Sequence, residues 1–289
     1  KTRRLLQLKN NTKDKALSAS FKNTLMAGPY IIWITAFIVI PLVFVFYYGF
    51  TDSNGSFTLA NVNTIAQREY YNALFLSIFL AVICTAICLL LAYPLALILR
   101  NMHMKKNSFI VFIFIMPMWM NFLLRTYAWQ AILDINGVLD HLINFLHLPY
   151  FNIINTPAAI VLGMVYDFLP FMVLPIYNVL VKIDDNTINA ARDLGADYLQ
   201  TLRKVIIPLS FPGIASGIIM VFVPALTTFV ISDILGGGKL LLIGNLVENK
   251  VKADNINLGA GLSLILMIFI VLNMLFTAKY DKSEGGNVL

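Results

Sequence analysis

The sequence of 289 residues is 59% hydrophobic and only 12% charged. Because soluble domains carry about 25% charged residues, this composition excludes an ordinary soluble protein. Several apolar runs reach the length of about 18 residues that predicts a membrane-spanning helix, so we predict an all-α, polytopic membrane protein. The excess of 21 Lys and Arg over 15 Asp and Glu residues is then a topology signal, and we do not expect nucleic-acid binding.

Six spans are predicted along the chain, within a transmembrane domain that covers residues 25–280. A polar, basic tail over residues 1–24 precedes them, and a short polar tail over residues 281–289 follows. In order, the spans are Leu25–Phe50, Ala73–Leu99, Phe109–Ile132, Pro157–Val181, Phe211–Leu235 and Ile256–Ala278.

An even number of spans places both termini on the same side of the membrane. Most Lys and Arg residues fall in the tails and in the loops that share this side. Cytoplasmic segments carry an excess of Lys and Arg, so we expect both termini and the loop over residues 182–209 in the cytoplasm.

The loop over residues 182–209 begins with signals for a short helix. Asp184, Asp185 and Asn186 offer side-chain oxygens to unpaired N–H groups and negative charge at the positive end of a helix. Gly195 is suited to end this helix, because the residue after a helix commonly needs a positive φ. Apolar residues three apart predict one face of the helix: Ile188, Ala191 and Leu194.

A second short segment, Ala196–Lys204, follows the glycine, and Pro208 is expected to forbid a regular continuation. Its apolar residues are Tyr198, Leu199 and Leu202. The stretch therefore predicts a helix–turn–helix knob with an apolar side between two spans. A soluble partner can bind such a knob. The name knob is used below for residues 182–209.

Asp167 lies ten residues into the fourth span, roughly 15 Å deep and close to mid-membrane at 1.5 Å per residue. A carboxylate at this depth costs about 2.5–3.5 kcal/mol, so it is expected to face a cavity or a partner. One interpretation is a binding group for a cationic solute, with Tyr166, Phe168 and Phe171 beside it. The other is a carboxylate that is hydrogen-bonded to a neighbouring span or kept protonated.

Two further charged residues lie towards the predicted outer ends of spans. Asp233 can attract incoming cations or cap the glycine-rich turn that follows it. Arg125 can snorkel to the interface, pair with an acid or repel cations as a gate. Aromatic rings in the spans can face alkylammonium groups or serve in packing; they are Trp119, Tyr127, Trp129, Phe222 and Phe229.

The sequence predicts a non-catalytic chain without a metal site. A phosphate-binding loop needs Gly, four residues and then Gly-Lys-Ser/Thr, but Asp233 stands at the first glycine position and Leu240 at the hydroxyl position. Cys84 and Cys88 share one face of an apolar helix, which favours packing over a metal or disulfide role. If ATP drives this protein, we expect another chain to bind it.

The knob has a known pattern. ABC-importer permeases have a cytoplasmic loop that reads Glu-Ala-Ala, three residues, Gly, nine residues and Ile-x-Leu-Pro. This sequence resembles that loop, because the same spacing joins Asn189-Ala190-Ala191 to Gly195 and to Val205-Ile206-Ile207-Pro208. Asn189 stands where the pattern has Glu, so a charged contact at this position is not carried over.

Nearly the whole chain resembles the PotB-type permeases of spermidine/putrescine importers. The resemblance implies the ABC type I importer permease fold and a location in the bacterial inner membrane. The stretches that carry it are Leu91–Leu95, Met116–Trp119, Leu124–Tyr127, Leu169–Pro175, Ala190–Gly195, Ser232–Asp233, Gly236–Gly237 and Leu242–Asn245.

The resemblance implies a machine of five parts. A second, homologous permease pairs with this one, two ATPase subunits that bind ATP and Mg dock on the cytoplasmic loops, and an extracytoplasmic binding protein delivers polyamine. The ATPase-docking residues expected in the knob are Asn189, Ala190, Ala191, Asp193, Gly195, Tyr198, Leu199 and Pro208. A linear polycation needs spaced carboxylates and aromatic walls, and the substrate-path residues expected here are Asp167, Asp233, Tyr166, Trp119, Phe229 and Phe222.

Two other functions remain open from the sequence. The same machine can carry another small solute, although an oxyanion path favours basic residues and helix N-termini over a mid-membrane Asp. An ion-coupled secondary transporter can use Asp167 as its proton site, but this function leaves the spacing over residues 189–208 unexplained.

Overall fold

The computed structural model describes residues 27–101, 116–135, 137–145 and 153–281. Within these ranges the regular structure is helical, apart from one isolated antiparallel bridge, and the all-α prediction is confirmed. In chain order the helices are α1 (Ala27–Gly49), α2 (Ala60–Asn63), α3 (Arg68–Asn101), α4 (Phe122–Leu133), α5 (Val138–Phe145), α6 (Pro157–Lys182), α7 (Asp185–Asp193), α8 (Tyr198–Thr227), α9 (Val230–Leu235), α10 (Ile243–Lys252) and α11 (Ile256–Asp281).

Five helices in the described ranges are long and apolar enough to cross a membrane: α1, α3, α6, α8 and α11. They correspond to five of the six predicted spans. The predicted tails over residues 1–24 and 281–289 lie outside the described residues, except for Asp281, which ends α11. The beginning of the third predicted span also lies outside them.

The third predicted span, Phe109–Ile132, is not one helix. After a 3₁₀ turn over Met116–Trp119 the backbone leaves the helical conformation, and α4 begins only at Phe122. The cause is Asn121, whose side-chain oxygen accepts a hydrogen bond from the Leu123 N–H at 2.9 Å and so caps the new helix. Residues 109–115 lie outside the described part of the chain.

The fifth predicted span, Phe211–Leu235, is also wrong as a single helix. It divides at Thr228 and Phe229, which have non-helical backbone angles between α8 and α9. Pro224, one turn before the end of α8, removes a main-chain donor from the helix interior and favours an early end.

Pro208 interrupts the regular α-helical hydrogen bonding, as expected, but it does not end the helix. The second segment of the knob runs without a break into the membrane span as α8. A π-helical turn over Leu202–Ile206 precedes the proline, and the Ile207 N–H bonds to the Leu202 carbonyl five residues back. Pro208 then stands in the first turn of the following α-helical part, where the absence of its N–H does little harm.

The centre of the bundle is formed by α3, α6 and α8, which pack on one another. Glycines permit this close approach, as small residues do between membrane helices. A Cβ atom at Gly213 would lie 2.8 Å from the Pro175 carbonyl oxygen, and one at Gly217 would lie 2.6 Å from the Met172 sulfur. Cys84 and Cys88 are fully buried in this core, so the prediction that they serve in packing is confirmed.

The other two long helices, α1 and α11, pack on each other beside the core. Two amide side chains bind the end of α1: Asn61 donates to the Thr51 carbonyl at 2.8 Å, and Asn257 donates to the same oxygen at 2.6 Å. Short helices that the hydrophobic runs did not predict, α2, α5 and α10, occupy the loops. The second span begins earlier than expected, at Arg68, because α3 extends into the polar loop.

Candidate functional site

A cavity of about 350 Å³ lies where α4, α6 and the break between α8 and α9 meet. Among the described residues that line it, two are charged, Arg125 and Asp167. The remaining lining is apolar and aromatic apart from one threonine: Phe122, Phe168, Phe171, Pro224, Thr228, Phe229, Val230 and Ile231. The cavity therefore offers one pair of opposite charges inside walls rich in phenyl rings.

Arg125 and Asp167 form an ion pair inside this cavity. Arg125 Nη2 lies 3.2 Å from Asp167 Oδ1, and the two side chains are only 9% and 6% exposed. Of the roles expected for Arg125, pairing with an acid is the one observed. Asp167 faces both a cavity and a partner, as its depth in the fourth span required. A direct role of Asp167 in substrate binding stays a prediction.

The cavity brings together only part of the predicted substrate path. Phe229 shares it with Asp167. Tyr166 points away from the cavity, since adjacent residues on a helix face different directions. Its ring packs edge-on against Trp129, with 5.3 Å between the ring centroids, and both rings line a separate apolar groove. Trp119 is 71% exposed, and Phe222 packs against the hydrophobic core.

Asp233 lies on α9, where its carboxylate accepts a hydrogen bond from the Asn245 side chain. The glycine-rich turn is closed by the main chain, through a bond of 3.2 Å from the Gly238 N–H to the Asp233 carbonyl. Of the two roles left open for Asp233, capping of this turn by the side chain is not observed, and attraction of incoming cations stays a prediction. Its carboxylate is bound to α10 instead.

Asn245 is a residue whose importance the sequence reasoning missed. Its side chain is 1% exposed, and its oxygen accepts from the Ser232 hydroxyl at 2.6 Å and from the Leu242 N–H at 3.0 Å. Its amide also donates to the Phe229 carbonyl at 3.0 Å. Asn245 therefore fixes the non-helical stretch that forms one wall of the cavity. The signal available in the sequence was a lone amide within Leu242–Asn245, a stretch used only for the resemblance.

A second ion pair lies near Asp233 but outside the cavity. Glu248 accepts a hydrogen bond from Lys252 at 2.7 Å, one turn further along α10. This bond raises the pKa of Lys252 above its usual value. Because Lys252 is exposed, the pair is screened by solvent and adds little stability.

The knob has the predicted helix, cap and turn. Asp184 is the N-cap of α7, and its carboxylate accepts from the Asn186 N–H at 3.0 Å. Gly195 has a φ of 85°, and the Ala196 N–H bonds to the Ala191 carbonyl at 3.1 Å, which completes a glycine-ended Schellman turn. The signals at Asp184 and Gly195 are thus confirmed.

The apolar face predicted for α7 is wrong in one respect. Ile188 is buried at its base, whereas Leu194 lies beyond the last helical residue and is 90% exposed. Tyr198 and Leu199, at the start of α8, are 60% and 50% exposed. The knob therefore projects an apolar tip, and Leu194 joins the residues predicted to dock a partner. Of those, Asn189, Ala190, Asp193, Gly195 and Pro208 are exposed and Ala191 is half-buried.

Arg100 is a further residue that the sequence reasoning missed. It stands at the end of α3, and its guanidinium donates to two main-chain carbonyls at the end of α6 and to the Asp185 carboxylate of α7. Arginine suits this position because its planar fork can serve several acceptors at once. One side chain thus joins the base of the knob to two core helices.

Long apolar helices, a small charged cavity between them and an exposed two-helix knob together define a polytopic membrane permease. The chain belongs to the family described as binding-protein-dependent transport system inner membrane component, which matches residues 8–284. This family comprises the membrane subunits of ABC importers, as the spacing in the knob predicted.

Curated relatives within this family match most of the chain. The spermidine/putrescine transport system permease protein PotB of Escherichia coli K12 is 37% identical over 254 residues, which cover 84% of this chain and 92% of that protein. The PotB protein of Haemophilus influenzae Rd is 33% identical over 267 residues, covering 86% of this chain and 93% of that protein. The predicted PotB-type resemblance is confirmed.

Solved structures confirm the ABC importer permease fold. A chain from a bacterial ABC transporter involved in the import of the acidic polysaccharide alginate superposes with a TM-score of 0.73 at 14% identity, over 93% of this chain and 98% of that chain. A chain from the alginate transporter in complex with an alginate pentasaccharide-bound periplasmic protein gives a TM-score of 0.71 at 13% identity, over 91% of this chain and 94% of that chain. At this identity the likeness concerns the fold alone.

Proposed function

We propose that this chain forms half of the membrane path of an ATP-driven ABC importer that takes up polyamines of the spermidine/putrescine type. The observation that carries the proposal is the 33–37% identity to PotB permeases over more than four fifths of both chains. The chain itself binds no ATP in this proposal; a separate ATPase subunit binds ATP and Mg and hydrolyses the nucleotide.

The chemistry of the cavity supports a cationic substrate. An alkylammonium group is attracted by a carboxylate and by the faces of aromatic rings, and the cavity offers both. Its carboxylate is Asp167, which is paired with Arg125 in this structure, and its rings include Phe168, Phe171 and Phe229. The proposed path continues past Asp233, Trp119, Tyr166 and Phe222. Two carboxylates do not neutralise a whole polyamine, so the partner permease contributes others.

The knob supports docking to a cytosolic ATPase. Its exposed tip of Leu194, Tyr198 and Leu199 offers apolar surface of the kind that protein partners bury. In the proposed assembly, two ATPase subunits dock on the knobs of this chain and of a second, homologous permease, and both termini of this chain lie in the cytoplasm. Closure of the ATPases moves the knobs and exposes the path to each side of the membrane in turn.

The proposed assembly also includes an extracytoplasmic binding protein that delivers the polyamine. Two findings support this partner: the name of the family, and the alginate transporter of the same fold that was solved with its periplasmic protein. We place the whole assembly in the bacterial inner membrane.

The test is uptake of radiolabelled spermidine into proteoliposomes that contain this chain with its co-purifying subunits. ATP-dependent uptake that stops when the ATPase subunit is omitted supports the proposal. An assembled complex that hydrolyses ATP but takes up no polyamine overturns the proposal that the substrate is a polyamine. Uptake driven by an ion gradient without any ATPase overturns the ABC mechanism.

A further inference from the structure

We propose that Arg125 occupies the cation position of the Asp167 cavity in the substrate-free chain, and that an ammonium group of the substrate takes this position by displacing the guanidinium. The inference rests on the proposed function, because it concerns how a polyamine binds. Arg125 is then a specificity-determining residue, because a solute binds in the cavity only if its own positive charge replaces that of the displaced guanidinium.

The cavity contains one pair of opposite charges among otherwise uncharged described residues. Arg125 Nη2 lies 3.2 Å from Asp167 Oδ1, and the other described lining residues carry no charge. The guanidinium therefore pairs with a carboxylate in a cavity whose lining includes phenyl rings, and an alkylammonium group prefers the same kind of environment. With both charges inside, the lining has no net charge; with Arg125 withdrawn, it presents a bare carboxylate to a cation.

The two charged residues belong to helices that are supported to different degrees. Asp167 is on α6, one of the three core helices, between Met164 and Met172, which are fully buried. Arg125 is on α4, a helix of 12 residues that begins directly after a break in the backbone and packs on α5, α6 and α9. A displacement of the pair therefore moves Arg125 and leaves Asp167 in place.

Both helix breaks, at Asn121 and at Thr228–Phe229, lie next to this cavity. Phe122, the first residue of α4 after the Asn121 break, lines it, and so do Thr228 and Phe229, which form the break between α8 and α9. Non-helical backbone inside a membrane is tolerated only where it is buried in protein or lines a cavity. Interrupted helices are also where transporters of other classes bind their substrates.

The energetics of a buried ion pair distinguish a structural role from competition with the substrate. A buried ion pair adds little net stability compared with uncharged residues of similar size, whereas removal of one partner leaves an uncompensated charge. A purely structural pair therefore predicts that either single neutralisation damages the protein in the same way. If Arg125 competes with the substrate, the two single neutralisations have opposite effects on substrate affinity. Loss of Arg125 strengthens binding because its charge repels the ammonium group, and loss of Asp167 weakens binding because its charge attracts that group.

The experiment measures KM for radiolabelled spermidine in proteoliposomes that contain the complete importer. Four proteins are compared: wild type, Arg125→Gln, Asp167→Asn and the double variant Arg125→Gln/Asp167→Asn. We expect Arg125→Gln to lower KM about threefold or more, and Asp167→Asn to raise KM at least about tenfold. Glu69→Gln, which neutralises an exposed carboxylate in the first turn of α3, is the control and leaves KM unchanged.

The comparison between Arg125→Gln and the double variant remains decisive if Asp167→Asn alone fails to assemble. Both proteins lack the guanidinium and differ only in the carboxylate, so we expect the KM of the double variant to be at least about tenfold higher. Equal KM values in these two proteins, or a shift in the same direction in both single variants, overturn the inference but leave the polyamine importer in place. A wild-type complex that hydrolyses ATP without taking up spermidine overturns the proposed substrate, and the inference with it.

Discussion

Arg100 at the end of α3 and Asp185 at the start of α7 form an ion pair with an N–O distance of 2.7 Å. The same guanidinium donates to the carbonyl oxygens of Leu180 at 2.8 Å and Ile183 at 3.0 Å, where α6 ends. Carbonyl groups at the end of a helix lack the usual N–H donor four residues further on, so they are free to accept from a side chain. The Arg100 side chain thus connects the first turn of α7 to the ends of α3 and α6.

The first prediction follows from this contact. Arg100→Ala is expected to lower the amount of spermidine transported per ATP hydrolysed several-fold, because the knob then moves without α3 and α6. Arg100→Lys is expected to be intermediate, since an ammonium keeps the charge but loses the planar fork. The measurement is uptake and ATP hydrolysis on the same proteoliposomes. Arg68→Ala, which removes an exposed arginine at the other end of α3, is the control. An unchanged ratio in an assembled Arg100→Ala complex contradicts the prediction.

The second prediction concerns the turn at Gly195. Its φ of 85° lies in the left-handed region, and a Cβ atom at this position would have no neighbouring atom within 4 Å, so backbone strain alone decides the effect. Gly195→Val is expected to destabilise the turn by about 1–2 kcal/mol and to reduce co-purification of the ATPase, whereas Gly195→Asn is tolerated because Asn enters this region readily. Equal loss of the ATPase in both variants shows that side-chain size matters instead.

The knob illustrates which features were predictable from sequence. A cap at Asp184 and a positive φ at Gly195 are local properties, set by residues within one or two turns, and both are confirmed. The apolar tip was only partly predictable. Leu194 continues the threefold spacing of α7, but the helix ends one residue earlier, so its side chain points outwards. Periodicity describes a helix only as far as the helix extends.

The cavity shows what sequence alone does not provide. Runs of apolar residues predict spans but conceal the breaks at Asn121 and at Thr228–Phe229, because a capping side chain and a nearby proline act against the hydrophobic pattern. The pairing of Arg125 with Asp167 depends on how α4 packs against α6, and this is a long-range property. The sequence identified both charged residues and their possible roles, but their pairing is evident only from the folded structure.

The third prediction concerns the apolar tip of the knob. Leu194→Asp is expected to abolish co-purification of the ATPase while the thermal stability of the isolated permease stays within about 0.5 kcal/mol, because Leu194 is 90% exposed. Ile188→Asp is the matched comparison; Ile188 lies within α7 and is only 5% exposed, so this variant is expected to lose stability as well. Normal ATPase binding by Leu194→Asp contradicts the proposed docking surface.

The fourth prediction concerns Asn245, whose side chain fixes the break beside the cavity. Asn245→Ala removes the acceptor for the Ser232 hydroxyl and the Leu242 N–H, so we expect a loss of about 1–3 kcal/mol in stability. Asn249→Ala, on the exposed side of the same helix, is expected to change stability by less than about 0.5 kcal/mol. Thermal unfolding of the two purified variants in detergent provides the measurement.

Because Asn245 also binds the Phe229 carbonyl, spermidine uptake is expected to fall in Asn245→Ala even below its unfolding temperature. Identical unfolding temperatures and uptake in both variants would show that Asn245 does not hold the cavity wall.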